Sequence, residues 1–458
     1  MASVVVIGAG LTGLTTAYYL KKQGHQVTVI EKSHRAGGVI ETHHEQGFTF
    51  ESGPTTGVLS HPEAGELFAE LSGLCRVDIA NPDAKVRWIW KDNGWQALPS
   101  GLLSAIKTPL FTWGDKFRIL GEPWRKPGTN PDESLADLVR RRMGRSFLDY
   151  AVNPFVAGVY AGDPERLVTR FALPKLYQLE QTYGSFVKGT IKKRKEPKAP
   201  NAHLATREVF SFEGGLDRLV TALIEAIGRE RVLTHCGEVA VSAVNEGSCR
   251  FRVTGVRHQQ PLELSASHVV TTCGAGALPD LLPFVDGSRL QSFVDLHYVP
   301  MVQVVLGFRQ WRGISLKAFG GLVPEREGRD VLGVLLPSSF LKQRAPQGGA
   351  LMMVFMGGRR HPVVLSLTDE QVMERTAREV CAMMGLKAFD PDLVRIFRYQ
   401  HAIPQYEADT GRRLAAVESI QSQYPGLVIG GNLRGGIGMA DRIRQGRQMA
   451  DAITAMGE

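Results

Sequence analysis

Ser3-Val4-Val5-Val6-Ile7-Gly8-Ala9-Gly10-Leu11-Thr12-Gly13 stands at the head of this chain. The β-branched run Ser3 to Ile7 has the length of a buried strand, and the spacing of Leu14, Ala17, Tyr18 and Lys21 after it is helical. Between them the glycines predict a tight turn. Gly8 permits the turn, Gly10 lets backbone approach a pyrophosphate, and Gly13 lets the helix pack on the strand, with the phosphates at the helix N-terminus. Gly24 is placed to end that helix, Gln26 to Ile30 reads as a second strand, and Glu31 stands where an acid accepts ribose hydroxyls. A carboxylate there disfavours a phosphorylated ribose. Gly8, Ala9, Gly10, Leu11, Thr12, Gly13, Glu31 and Lys32 are therefore candidate dinucleotide contacts.

The next twenty-odd residues separate flavin from nicotinamide. Arg35-Ala36-Gly37-Gly38-Val39-Ile40-Glu41-Thr42 and Gly53-Pro54-Thr55-Thr56 resemble the extension of flavoproteins of the glutathione-reductase and amine-oxidase type. That resemblance implies FAD, with Arg35, Gly37, Gly38, Gly53, Pro54, Thr55 and Thr56 in its site. Two near misses to a second nucleotide motif, Gly274 to Pro279 and Gly436 to Asp441, lack a strand-turn-helix unit with a downstream acid. A flavin reduced by its substrate and reoxidised by oxygen or a quinone is the expectation.

At the far end, Leu427 to Gly430 reads as a strand, Asn432 to Gly438 as a glycine-rich turn, and Met439 onward as a helix with Ile443, Met449 and Ile453 on its apolar face. Such a helix N-terminus can face a flavin ring, which makes Ile437, Gly438 and Met439 candidate contacts. The plain alternative is a helix packed on a sheet. The turn has no Cys, His or Tyr to attach to a ring, so FAD is expected to be held noncovalently. Val232 to Val244 alternates as strands of the same nucleotide domain, and Val239 is either a backbone contact to adenine or a core strand valine.

With 458 residues, 43% hydrophobic and 22% charged, the chain can bury the cores of two or three domains, which rules out a fibrous or disordered protein. The formal charge of +8 suits acidic partners. No helix-turn-helix, zinc module or RNA-binding aromatic signature accompanies it, so nucleic acid is not an expected partner. Five scattered cysteines with no C-x-x-C pair point to reduced thiols and no metal site. The longest apolar run, Tyr298 to Phe308, is too short and too interrupted to span a bilayer, and no secretory leader is evident. A cytoplasmic chain is expected.

Further motifs narrow the class. Ala97 to Gly101, Ser134-Leu135, Arg140-Arg141-Arg142-Met143-Gly144, Gly158-Val159-Tyr160-Ala161-Gly162-Asp163, Pro174, Glu180-Gln181 and Ser185 resemble the protoporphyrinogen oxidase family. So do Phe319 to Pro324, Ile403-Pro404-Gln405-Tyr406 and Gly435 to Gly438 followed by Asp441. The match runs end to end. It departs at Arg442, where the family commonly has cysteine, and at Glu41, where some members have arginine.

The resemblance implies an α/β plus α+β fold: a discontinuous Rossmann-like FAD-binding domain (1–60, 208–275, 411–458), a mixed-sheet substrate domain (61–95, 276–410) and a helical region (96–207) that can meet a membrane. It implies removal of six hydrogens from a porphyrinogen, with no catalytic side chain assigned beyond the flavin. Arg87 matches the family's arginine for a substrate propionate, and Phe319, Gly320, Leu322 and Phe355 match positions against the macrocycle; as bare residues all five also suit an ordinary sheet. Lys188, Lys192, Lys193, Arg194, Lys195 and Lys198 suit either the inner face of the cell membrane or a solvated loop. A homodimer and handover to a ferrochelatase are compatible partner arrangements. Protoporphyrinogen is favoured over coproporphyrinogen because one anionic anchor is found and not a second pair; an amine or carotenoid oxidase and a noncatalytic porphyrin carrier are the other readings.

Overall fold

The computed structural model describes residues 1–197, 199–247 and 249–456. Its first lobe is built on a five-stranded parallel sheet in the order Val232–Leu233, Gln26–Ile30, Ser3–Ile7, His268–Thr271, Leu427–Ile429. A parallel sheet buried on both faces needs continuous apolar runs. Val4-Val5-Val6, Val269-Val270 and Leu427-Val428-Ile429 supply them, each nearly free of solvent contact. The helices Leu11–Lys22, Asp217–Ile227 and Met439–Met456 cover one face, burying Leu14, Leu20, Leu219, Leu223, Ile443 and Ile453. Two of these helices touch backbone to backbone: a Cβ on Gly446 would stand 2.8 Å from the Thr12 carbonyl oxygen.

The second face is covered by further strands of the same lobe. Of Val232 to Val244, only Val232–Leu233 joins the parallel sheet. Cys236–Glu246 instead pairs antiparallel with Cys249–Arg257, which pairs with Gln260–Ala266, as a separate three-stranded sheet. His235, at a φ of 59°, turns the chain out of the parallel sheet between the two.

The second lobe carries a seven-stranded mixed sheet in the order Leu393–Pro404, Tyr298–Phe308, Ala350–Gly357, Gly333–Leu335, Gly320–Leu322, Arg87–Lys91, Gly94–Ala97. The apolar run Tyr298–Phe308 is thus an internal strand of this sheet. One face, with Val304, Val334, Met352 and Val354, packs on the helix Asp369–Met384 through Val372, Val380 and Met384. Register fixes the opposite face. Arg87, Gly320, Leu335, Met353, Val305 and Arg395 lie across from one another, and two residues along each strand come Ile89, Leu322, Gly333, Phe355, Gln303 and Phe397. Positions two apart share a face. Arg87, Leu322, Met353, Phe355 and Gln303 therefore look the same way, toward the first lobe.

Short helices between residues 102 and 194 form the third part. Their core is pinned by buried charge: Arg142 and Glu122, both fully buried, are ion-paired, and Arg142 Nη1 also lies 3.2 Å from Glu180 Oε1. Glu122 accepts further from Ser185 Oγ (2.6 Å) and from the backbone N–H groups of Phe186 (2.9 Å) and Val187 (3.2 Å). Burial alone would raise the Glu122 carboxyl; these hydrogen bonds and Arg142 overcome it and hold it below its ordinary value. No helix among the described residues is long and apolar enough to cross a membrane.

Candidate cofactor and substrate site

The turn after Ser3–Ile7 makes a cradle. Gly8 has a φ of 102°, which glycine adopts freely. Gly13 is forced by packing: its Cβ would stand 1.9 Å from the Gly8 carbonyl oxygen. Gly10 is different. Its φ of −73° and ψ of 177° suit any residue, and a Cβ there would meet nothing within 4 Å. Open space at the N-terminus of Leu11–Lys22, beside a glycine that the backbone does not require, fits a group that presses on that atom from outside the chain. A dinucleotide diphosphate has the charge for the place. Leu11 and Thr12 turn inward and are buried.

Glu31 closes the cradle. Its Oε2 accepts from Ala9 N–H at 2.8 Å and its Oε1 from Ser33 N–H at 2.9 Å, which orients the carboxylate and leaves lone pairs for hydroxyl donors. The glycine pair Gly37-Gly38 lies against the same turn: Gly37 N–H donates to Ala9 O at 2.8 Å, and Gly10 and Gly37 form a parallel bridge. Arg35 spends its guanidinium on this loop, donating to Ile40 O (2.8 Å), Gly38 O (2.9 Å) and Glu41 Oε2 (3.2 Å). Its part in the geometry is to hold the loop, and Glu41 is its counter-charge. Gly53 sits directly beneath, where a Cβ would lie 1.9 Å from Val39 O. Pro54 and Thr56 are half-buried; the buried Thr55 hydroxyl lies 3.0 Å from Met353 Sδ, joining the cradle to the seven-stranded sheet. Lys32 is exposed on the adjoining turn. Val239 lies in a bulge, where register slips between Gly237 and Ala240, and it is partly packed on the core of the sheet's second face.

The C-terminal turn is shaped by side chains of Tyr406 and of the helix Met439–Met456. Tyr406 Oη lies 3.0 Å from Asn432 O and 2.9 Å from Gly436 O, which share its one hydroxyl proton. Burial pushes that phenol up to about 12, so it remains a donor. Arg442 is buried and binds Gly431 O and, at 2.8 Å, Arg434 O. The residue that departs from the resembled pattern is thus a strut for the turn. Asp441 accepts from Gly438 N–H at 3.1 Å and pairs with His61 at 2.8 Å. Burial would raise that carboxyl, and His61, the Gly438 N–H and Arg444 hold it below the ordinary value. Met439 is buried in the first lobe and Ile437 packs on the helical part, so what Ile437-Gly438 offers outward is backbone.

Across from these elements lies the sheet face. Arg87 is exposed at its edge, with its guanidinium carbon 5.5 Å from the Phe319 ring centroid, and Phe319 stacks on Phe340 at 4.4 Å. Among the described residues Arg87 makes no ion pair. Leu322 and Phe355 are half-buried on the same face. Gly320 is buried between strands, where a Cβ would lie 2.4 Å from Val334 O. The helix Asn153–Tyr160 covers Leu322 closely: a Cβ on Gly158 would be 2.3 Å from Leu322 Cδ2. Beyond it a small cleft is lined by Asn153, Ala157, Val323, Arg329, Arg359 and Arg360. Each of those arginines is ion-paired, Arg329 to Glu379 (3.3 Å), Arg359 to Glu407 (3.0 Å), which it shares with Arg166, and Arg360 to Asp163 (2.6 Å).

Sequence reasoning missed the joint between lobes. Glu51 is fully buried with Arg344 at 3.1 Å, accepts from Thr42 Oγ1 (2.7 Å) and Leu216 N–H (3.0 Å), and offers its own carbonyl to Gln303 Nε2 (2.8 Å). Burial raises its carboxyl, opposed by Thr42 and Arg344. A lone acid ending the apolar alternation Phe48-Thr49-Phe50 was the only signal.

Comparison with known proteins places this geometry. The family profile described as flavin containing amine oxidoreductase matches residues 11–454. Protoporphyrinogen oxidase 2, chloroplastic/mitochondrial, of Arabidopsis thaliana is 26% identical, covering 98% of this chain and 93% of its own length. Coproporphyrinogen III oxidase of Bacillus subtilis (strain 168) is 25% identical, covering 98% of each. Among solved structures, a protein assigned as a protoporphyrinogen oxidase from Exiguobacterium sp. 255-15 superposes with a TM-score of 0.80 at 23% identity, over 99% of this chain and 98% of the other. Cyclohexylamine oxidase from Brevibacterium oxydans IH-35A gives 0.70 at 17% identity, over 99% of each. At these identities the two structures speak to the fold.

Proposed function

Since the chain belongs to the flavin-containing amine oxidoreductase family, whose cofactor is FAD, we propose that it oxidises protoporphyrinogen IX to protoporphyrin IX in porphyrin biosynthesis. Bound noncovalently, FAD would supply the hydride acceptor for removal of six hydrogens in three rounds, with oxygen or a quinone as the final acceptor. The chain's own residues bind and orient. Gly8 to Gly13, Glu31, Gly37-Gly38 and Gly53 to Thr56 form the cradle, Val239 takes the adenine edge, and the Ile437-Gly438 backbone faces the ring. Arg87 takes a propionate as a charge-assisted pair, while Phe319, Leu322 and Phe355 flank the apolar macrocycle. No side chain on this face is needed as a base.

The observation that carries the reading is Arg87: an exposed guanidinium without an ion pair among the described residues, aligned with Leu322 and Phe355 on the face turned to the first lobe. The arginines of the adjoining cleft are all engaged in ion pairs, which favours a substrate with one pair of propionates over one with four carboxylates. The test is porphyrin fluorescence appearing over time with protoporphyrinogen and, in parallel, coproporphyrinogen, each corrected for spontaneous oxidation. Faster protoporphyrin formation is expected; preference for coproporphyrinogen would retain the chemistry and reassign the substrate, and turnover of neither would end the proposal. Arg87→Ala should raise KM about tenfold or more, the loss of one charged hydrogen bond, with bound flavin unchanged. Unaltered KM would remove Arg87 from the site.

The helical part supports association with a membrane surface. Leu103, Trp113, Phe117, Leu120 and Trp124 are 63–80% exposed. Lys116 Nζ lies 4.7 Å from the Trp113 ring and Lys188 Nζ 5.9 Å from Trp124, so apolar rings and cations share one surface, as an anionic interface demands. Lys192, Lys193, Arg194 and Lys195 continue it; Lys198 lies outside the described residues. Cosedimentation with anionic vesicles should fall about tenfold or more in the Trp113→Ser, Trp124→Ser double variant, given roughly 1.5–3 kcal/mol for each buried apolar side chain. Equal pelleting of the variant would refute this surface.

A further inference from the structure

The turn that carries Glu31 is crowded with imidazoles for which the proposed reaction has no use. His34 comes three positions after Glu31, and its ring centroid is 6.4 Å from that of His235, which is 4.7 Å from that of His258 at an interplanar angle of 36°. All three residues are exposed. Backbone contacts hold them beside the acid: His235 N–H donates to Ser33 O at 3.0 Å and Cys236 N–H to Glu31 O at 2.9 Å. His235 and His258 have φ values of 59° and 49°, a conformation that side chains with a Cβ rarely adopt and that glycine would take at no cost. Among the described residues no three His, Cys, Asp or Glu converge to hold a metal ion, so the group offers flat aromatic faces and not a chelate.

We infer that His34 and His235 form the wall on which the adenine of FAD stacks, with His258 backing His235. This rests on the reading of Glu31 as the ribose acceptor and of the Val239 bulge as the adenine edge contact. Ribose hydroxyls on Glu31 leave the base beside residues 32–35 and 235–239, segments that are hydrogen-bonded to each other and carry the two rings. Stacking of a base on an aromatic side chain is worth about 1–3 kcal/mol, enough to set the affinity of a noncovalent cofactor.

The test uses the holoprotein. Flavin fluorescence released on serial dilution gives the FAD dissociation constant, and displacement of FAD by added FMN, which has no adenosine, gives the ratio of the two affinities. His34→Ala and His235→Ala should each raise the FAD dissociation constant about tenfold and shift the ratio toward FMN by the same factor. His34→Phe keeps a flat face and should retain FAD to within about twofold of the parent. Unchanged FAD affinity in both alanine variants overturns the inference, and so does an equal weakening of FMN, which would mark the histidines as supports of the fold. Glu31→Gln separates the two levels: weakened FAD there beside intact affinity in the alanine variants removes the stacking wall alone, whereas unchanged FAD in all three removes the placement of the adenosine as well.

Discussion

Gly10→Val is expected to give a folded protein without flavin, and Gly13→Ala a protein that loses its fold. Both glycines belong to one motif, yet their surroundings differ. The Gly10 backbone is in a conformation open to any residue and its Cβ would enter empty space, so the isolated chain accepts a side chain there. The valine methyls would occupy the cradle at the helix N-terminus and exclude the diphosphate, weakening FAD by at least about 100-fold if a few phosphate hydrogen bonds are lost at about 1.5–3 kcal/mol each. At Gly13 the added methyl would overlap the Gly8 carbonyl and crowd Thr272 Oγ1 at 2.8 Å, forcing the helix off the sheet. Overpacking costs about 1–3 kcal/mol where neighbours can move, and here the neighbour is backbone. Flavin content per chain and thermal unfolding separate the two cases. A yellow Gly10→Val protein would refute the cradle; a Gly13→Ala protein as stable as the parent would refute the packing account.

The second large effect is at Arg142. Arg142→Ala leaves the fully buried Glu122 without its guanidinium partner, and Glu180 loses one of its cations. Breaking a buried pair from one side costs about 3–5 kcal/mol, so denaturant unfolding should show a loss of that size in the phase that reports the helical part. Arg142→Met combined with Glu122→Gln removes both charges and should recover a portion of it. If the double variant is no better than the single one, packing and not charge makes the site. The same residues explain part of the resemblance read from the sequence. Arg142, Glu180 and Ser185 belong to that pattern together because they form one buried network, and Arg141 extends it, ion-paired to both Glu133 and Glu180. Gln405 and Tyr406 do likewise, tying Tyr160 O and the Asn432–Gly436 turn to the end of a sheet strand.

The cradle was legible because every part of it is local. Strand, turn and helix from Ser3 to Lys22 follow from apolar period and glycine spacing, and Glu31 is reached within one further strand, so no distant contact has to be known. The C-terminal strand, turn and helix were legible for the same reason. The excursion of Cys236–Glu246 into its own antiparallel sheet was not, since alternation describes a strand without naming its partner.

Residues a few positions apart thus sufficed for the N-terminal strand, glycine turn and helix and for the acid beside them, whereas the flavin class and the candidate arginine came from the family resemblance. Tertiary contacts were needed to establish that Arg87, Leu322, Phe355 and Met353 share one face, that Gly10 borders open space while Gly13 borders a carbonyl, and that Glu51 and Glu122 find their arginines 293 and 20 residues away. The physical reason is that register, lobe closure and the pairing of buried charge are set by which segments meet. Those meetings are selected by the total burial and hydrogen bonding of the folded chain, and no local window of residues contains that sum.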